Sequence, residues 1–162
     1  MSAKTRLLVV CLGNICRSPM AEGALRARID AAGLSDRVEV DSVGTGGWHA
    51  GDPPDARAIG TAARHGVDIS GLRARQLRPA DFEAFDLILC ADRANLRDVQ
   101  ARMPSACAAR PVLMLAWAGQ GHAAEIPDPY SGGKSDFEHA WTLVDAAAEA
   151  IVDRLSGNGK PV

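Results

Sequence analysis

The chain is poor in lysine and cysteine and carries no large excess of either charge. Its 162 residues hold 18 Lys and Arg against 20 Asp and Glu, a formal net charge of −2. A general nucleic-acid binder shows a strong basic excess, so nucleic acid is not an expected partner. The only lysines are Lys4, Lys134 and Lys160, which leaves arginine to supply nearly all positive charge. No apolar run approaches the ~20 residues that cross a bilayer, and no membrane partner is expected. The short run Leu7–Leu12 leads into Gly13-Asn14 rather than a small-residue cleavage site, which makes a poor signal peptide. Four cysteines, Cys11, Cys16, Cys90 and Cys107, form no Cys-x-x-Cys pair. That is too few for a disulfide scaffold, and a reducing, cytoplasmic setting is expected, with export lacking a signal peptide left open. His49, His65, His122 and His139 do not cluster and no His-Glu-x-x-His occurs, so neither a metal site nor a cofactor is expected.

Hydrophobic residues make up 47% and charged residues 23%, the balance of an ordinary globular protein. At about 150 residues per domain, one domain over residues 1–162 is expected. The pattern alternates strand and helix. Leu7–Cys11 reads as a buried strand, and Ser18-Pro19 as the N-cap and first position of a helix ending near Gly33. Val38–Val43 alternates like a strand, and Pro53-Pro54 opens a second helix ending at Gly66. Asp86–Cys90 and Val112–Leu115 read as strands, with a helix from about Asp92 to Arg102 between them. Phe137, Trp141, Val144, Ala148, Ile151 and Leu155 mark a long amphipathic helix, and the tail from Gly157 reads as frayed. The expected fold is α/β: a small, about four-stranded parallel sheet with helices on both faces. In such folds ligands bind beyond the C-terminal strand ends, where residues 11–18, 44–52 and the segment from Asp92 fall, and the loop holding Asp128 could reach the same edge.

The chemistry concentrates in Cys11-Leu12-Gly13-Asn14-Ile15-Cys16-Arg17-Ser18. Gly13 and Asn14 tolerate positive φ, and a tight turn there aims successive N–H groups inward as an anion nest. The following helix adds its positive end, and Arg17 adds a planar fork suited to two oxygens of a tetrahedral anion. A cysteine in such a field is favoured as thiolate. Cys11 therefore sits where it can attack a bound phosphorus, and the Ser18 hydroxyl can hydrogen-bond its sulfur. Two other motifs fail. Gly133-Lys134-Ser135 lacks the upstream glycine of a nucleotide loop, and Gly44-Thr45-Gly46 lacks the third glycine of a dinucleotide motif.

Cys-x5-Arg-Ser is the protein tyrosine phosphatase signature. The stretch Cys11–Glu22, with Ser42, Trp48, Ala74-Arg75-Gln76, Asp86–Asp92 and Asp128-Pro129-Tyr130 in order, resembles the low-molecular-weight protein tyrosine phosphatases. The resemblance implies that Cys11 is the nucleophile and Arg17 binds the equatorial oxygens. Asp128 would serve as general acid and base, and Leu12, Gly13, Asn14, Ile15, Cys16 and Ser18 would line the phosphate. It implies a phosphocysteine intermediate, an aryl slot walled by Leu12, Ile15, Trp48 and Tyr130, and Ser42 in support of the loop. The implied partner is a phosphotyrosine-containing protein or peptide, with phosphate as product and inhibitor, and the expected state is a monomer or weak dimer. Cys16 could be inert, or could form a disulfide with Cys11 on oxidation, as the resemblance suggests. Asp128 before proline is also a common turn residue. Relatives that resemble arginine phosphatases tend to carry Thr at the position of Ile15, so the apolar residue favours phosphotyrosine. Two departures stand out. Ser131-Gly132-Gly133 follows Tyr130 where many members have a second aromatic, and Leu72 stands where a histidine commonly buttresses the loop asparagine. An arsenate reductase, which needs a relay of further cysteines, and a non-catalytic phosphate-binding module are the rival readings.

Overall fold

Strand β1 (Thr5–Cys11) is buried from Leu7 to Cys11, and its side chains alternate between two apolar layers. Leu7 and Val9 join one core with Met20, Leu25, Phe137 and Trp141, while Leu8 and Val10 join the other with Phe82, Ile88 and Val99. A strand with both faces covered must be central, and β1 is flanked by β2 (Val38–Gly44) and β3 (Leu87–Cys90). With β4 (Arg110–Leu113), the four parallel strands lie in the order β2-β1-β3-β4. The computed structural model describes residues 4–121 and 124–157. His122 and the tail expectation from residue 158 onward lie outside the described residues.

The first core is roofed by α1 (Arg17–Ala31), α2 (Ala56–Arg64) and α6 (Lys134–Leu155), and the second by α3 (Asp81–Ala84) and α4 (Arg93–Arg102). Along α6 the residues Phe137, Ala140, Val144, Ala147, Ala148 and Ile151 are all buried, as the 3–4 spacing requires. Trp141 is buried with them and its ring stacks on His65, 5.3 Å between centroids. Gly23 in α1 permits a close crossing. A Cβ there would stand 2.5 Å from Ile69 Cγ2, so glycine lets the chain after α2 lie against the helix.

Three expectations need correction, and one element was not foreseen. Helix α1 begins at Arg17 with Cys16 at the cap and no side-chain cap bond, because the Ser18 hydroxyl is engaged with Cys11 instead. Helix α2 begins at Ala56, where the Asp55 carboxylate accepts from Arg57 N, and Pro53-Pro54 precede it. The fourth strand ends at Leu113, and Met114–Trp117 forms the short helix α5. An apolar run of that length fits a buried strand or a buried turn of helix equally well. Helix α3 is a single turn, too short to show a period.

The outer edge of β2 is closed by the chain's own groups. Arg26 Nη2 donates to Val40 O at 2.8 Å, the Ser42 N–H donates to Asp41 Oδ1, and Gly44 pairs with the passing segment at Gln76.

Candidate active site

Residues Cys11 to Arg17 turn from the C-terminal end of β1 into the first turn of α1, as expected for a site at this sheet edge. The turn is made at Asn14, the single non-glycine residue at positive φ (59°) among the described residues. Its side chain fixes the loop. Asn14 Nδ2 donates to Ser18 Oγ at 2.7 Å and Ser42 Oγ at 3.0 Å, while Oδ1 accepts the Arg75 N–H at 3.0 Å. Ser42 is thus a partner of Asn14, and Leu72 is packed against the apolar core, leaving the Arg75 amide to hold the oxygen.

Cys11 is buried at the floor of the turn. Its sulfur lies 3.0 Å from Ser18 Oγ and accepts the Asn14 N–H at 3.3 Å. Ser18 Oγ already accepts from Asn14, and of the two acceptors its own proton can reach, the sulfur at 3.0 Å is nearer than the Val43 carbonyl at 3.5 Å. Behind this pair, Ser42 Oγ donates to Glu22 Oε1 at 2.7 Å, and Arg26 Nε binds Oε2 at 2.8 Å. Burial outweighs these donors and raises the Glu22 carboxyl above its usual range.

Arg17 is 3% exposed. Its Nη1 donates to Asp92 Oδ2 at 2.7 Å and to the Ile126 carbonyl at 2.9 Å, which leaves Nη2 on the side of Asp128, 3.8 Å from Oδ2. The other oxygen of Asp92 caps α4 by accepting from Asn95 N, so one carboxylate aligns both the helix and the guanidinium. Asp128 is half-exposed, and its Oδ1 accepts the Tyr130 N–H at 3.1 Å.

These groups surround a pocket of about 180 Å³ lined by Cys11, Leu12, Gly13, Ile15, Cys16, Arg17, Trp48, His49, Asp128 and Tyr130. Among the described residues the exposed large apolar side chains, Leu12, Trp48 and Tyr130, all line it. A larger groove of about 590 Å³ between α1 and β2 is lined by Arg26 but by no cysteine, so the smaller pocket is the candidate site. Among the described residues no group of three or more His, Cys, Asp or Glu could hold a metal.

The structure thus brings Cys11, Leu12, Gly13, Ile15, Cys16, Arg17, Trp48, Asp128 and Tyr130 into one pocket, with Asn14, Ser18 and Ser42 bonded together outside its lining. Sequence reasoning gave no role to His49, Asp55, Arg57 or Glu22, and it placed Asp92 at the ligand edge and within the resemblance without assigning it a contact. Asp92 was the most accessible of these, since an N-cap aspartate at a strand's C-terminal end faces the ligand edge. Burial pushes the Cys16 thiol up to about 12, with the charges of Asp55, Cys11 and Asp128 adding to it.

Comparison with known proteins agrees with this geometry. The model of the family described as low molecular weight phosphotyrosine protein phosphatase matches residues 6–160. A low molecular weight protein-tyrosine-phosphatase of Streptomyces coelicolor is 41% identical over 150 residues, 91% of this chain and 91% of the relative. The human low molecular weight phosphotyrosine protein phosphatase is 38% identical over 154 residues, 94% of this chain and 96% of its own. The crystal structure of a protein tyrosine phosphatase from Entamoeba histolytica superposes with a TM-score of 0.89 at 30% identity, covering 96% of this chain and 99% of that one. With the fold, the loop and nearly the full length in common, this chain belongs to the low-molecular-weight phosphotyrosine protein phosphatase family.

Proposed function

We propose that this protein hydrolyses phosphotyrosine in proteins or peptides through a phosphocysteine intermediate on Cys11, with no metal in the reaction. The observation that carries the reading is the convergence on one small pocket of a buried cysteine, a buried arginine fork and a carboxylate. A phosphate seated in the loop would receive its amides and the free face of Arg17, which Asp92 and Ile126 O hold in orientation. The sulfur attacks phosphorus as the P–O bond to the phenol breaks, and Asp128 delivers its proton to the leaving oxygen. Water then attacks the phosphocysteine. Asp128 takes the water's proton, and Ser18 donates a hydrogen bond to the departing sulfur. Charge on the equatorial oxygens is held by donors already in place, which is where most of the acceleration arises.

The apolar walls Leu12, Ile15, Trp48 and Tyr130 suit an aryl ring, which phosphoserine lacks. Cys16 lines the same pocket as Cys11, the placement a resolving cysteine needs. Peroxide would take the Cys11 thiolate to a sulfenic acid, and attack by Cys16 sulfur would form the disulfide and release water. The arsenate-reductase reading finds no support at Cys90, which is fully buried in β3 with its thiol pushed up to about 12 by that burial.

The test is turnover of p-nitrophenyl phosphate in EDTA. Cys11→Ser should be inactive, and Asp128→Ala should be slow yet accumulate phosphate on Cys11. Full activity in Cys11→Ser refutes the mechanism.

A further inference from the structure

The carboxylate of Asp128 is set on an exposed loop. Ile126 is buried at one end and Phe137 at the other, and between them Pro129 is buried while Asp128, Tyr130, Ser131, Gly132 and Gly133 are exposed. Within this stretch Gly132 N donates to Pro129 O, and Gly133 N donates to Asp136 Oδ2 at the start of α6, both local bonds. Arg17 reaches its first end at Ile126 O, and Arg57 crosses from α2 to hold the middle. Arg57 Nη2 donates to Tyr130 O at 3.0 Å and Nη1 to Gly132 O at 3.1 Å.

The guanidinium is itself fixed. Asp55 takes Nε on Oδ1 and Nη2 on Oδ2, each at 3.0 Å, and the plane lies 4.6 Å from the Phe137 ring centroid and 5.6 Å from that of Tyr130. Asp55 in turn donates its backbone N–H to Ile15 O at 2.8 Å, in the loop that carries Cys11. A continuous path therefore runs from the phosphate loop through Asp55 and Arg57 to Tyr130, whose N–H holds Asp128 Oδ1 at 3.1 Å.

We propose that Arg57 is a positioning residue for Asp128: by clamping the Tyr130 and Gly132 carbonyls it sets the height of the carboxylate over the leaving oxygen. The proposal rests on the reading of Asp128 as proton donor. Arg57 touches neither phosphate nor ring in this role and acts only through the loop. A planar fork suits two carbonyls two residues apart because it meets them from two separate nitrogens fixed in one plane, whereas the three donors of an ammonium spread from a single nitrogen on a flexible stem. Proton transfer demands hydrogen-bond distance in the transition state, and a displacement near 1 Å can cost ~10²-fold.

The experiment measures kcat/KM for a series of aryl phosphates of rising leaving-group basicity, with wild type, Arg57→Gln, Arg57→Lys, Asp128→Ala and the Arg57→Gln/Asp128→Ala double variant. Loss of a proton donor matters most for the most basic phenolate, so it steepens the dependence on leaving-group pKa. Arg57→Gln should lower kcat/KM about tenfold for the most basic group and less for the most acidic. In the Asp128→Ala background the same change should cost less than about twofold, since the two act on one step. Competitive inhibition by inorganic phosphate should stay unchanged in Arg57→Gln, because the cradle does not depend on the clamp. Arg57→Lys should fall between wild type and Arg57→Gln, and it carries the test alone if the glutamine variant does not fold. A wild-type slope in Arg57→Gln, or in Arg57→Lys, beside a steepened one in Asp128→Ala overturns the role of Arg57 and leaves that of Asp128 standing. A wild-type slope in Asp128→Ala removes the proton donor itself. A loss of phosphate inhibition in Arg57→Gln matching its loss of rate assigns the arginine to the cradle and overturns the proposal.

Discussion

Replacing Asn14 tests whether one side chain holds the reactive loop. Three hydrogen bonds leave with it: two from Nδ2 to the hydroxyls of Ser18 and Ser42, and one accepted from the Arg75 N–H. Each is worth ~1 kcal/mol net, so the set contributes about 3 kcal/mol. The backbone adds a separate cost. Asn14 sits at φ 59°, a conformation that asparagine and glycine tolerate and alanine does not. That strain is about 1–2 kcal/mol, so Asn14→Ala should lose ~4–5 kcal/mol and Asn14→Gly about 3 kcal/mol. Stability near 5–15 kcal/mol overall makes both losses measurable by urea unfolding monitored through circular dichroism. Phosphatase rate should fall in both, since Ser18 loses the donor that turns its proton toward Cys11. The reasoning fails if Asn14→Ala unfolds within ~1 kcal/mol of wild type, or if it proves more stable than Asn14→Gly.

Two further outcomes are expected. A Cβ on Gly46 would stand 1.8 Å from Trp48 Cζ3, and Trp48 is 71% exposed and free to swing aside. Gly46→Ala should therefore change stability by less than about 1 kcal/mol yet raise KM for aryl phosphates several-fold, and an unchanged KM would remove Trp48 from the slot. Glu138 is held below its usual carboxylate range by the His65 hydrogen bond and next by Arg64. Its contribution is present above the ordinary carboxylate pKa and is lost as pH falls through the lowered folded value, because the unfolded chain binds the proton more readily. Thermal melts of Glu138→Gln should accordingly show a flatter stability profile over roughly pH 3–5, and a profile parallel to wild type would contradict the assignment.

Much of the fold was legible where residues obey one strong period. The doubly apolar runs of β1 and β3, the alternation of β2 and the 3–4 spacing of α6 each admit a single packing solution. Legibility failed where one residue serves two needs. Ser18 has the chemistry of a cap, and only the neighbouring sulfur decides that its hydroxyl turns inward. Met114 and Leu115 are apolar enough for a strand, and only the chain's path decides that they begin a turn of helix. Within the site, the cluster from Cys11 to Ser18 was readable because its parts are adjacent in sequence. Asp128 needed a resemblance to be seen, and Arg57 was invisible because its partners are backbone carbonyls more than seventy residues away.

The outermost strand has a consequence for life at high concentration. An open row of peptide groups along β2 would invite a neighbouring molecule to add a strand and seed aggregates. Arg26, Asp41 and the residues around Gln76 occupy that row from within the same polypeptide, so crowding offers a second copy little backbone to zip onto.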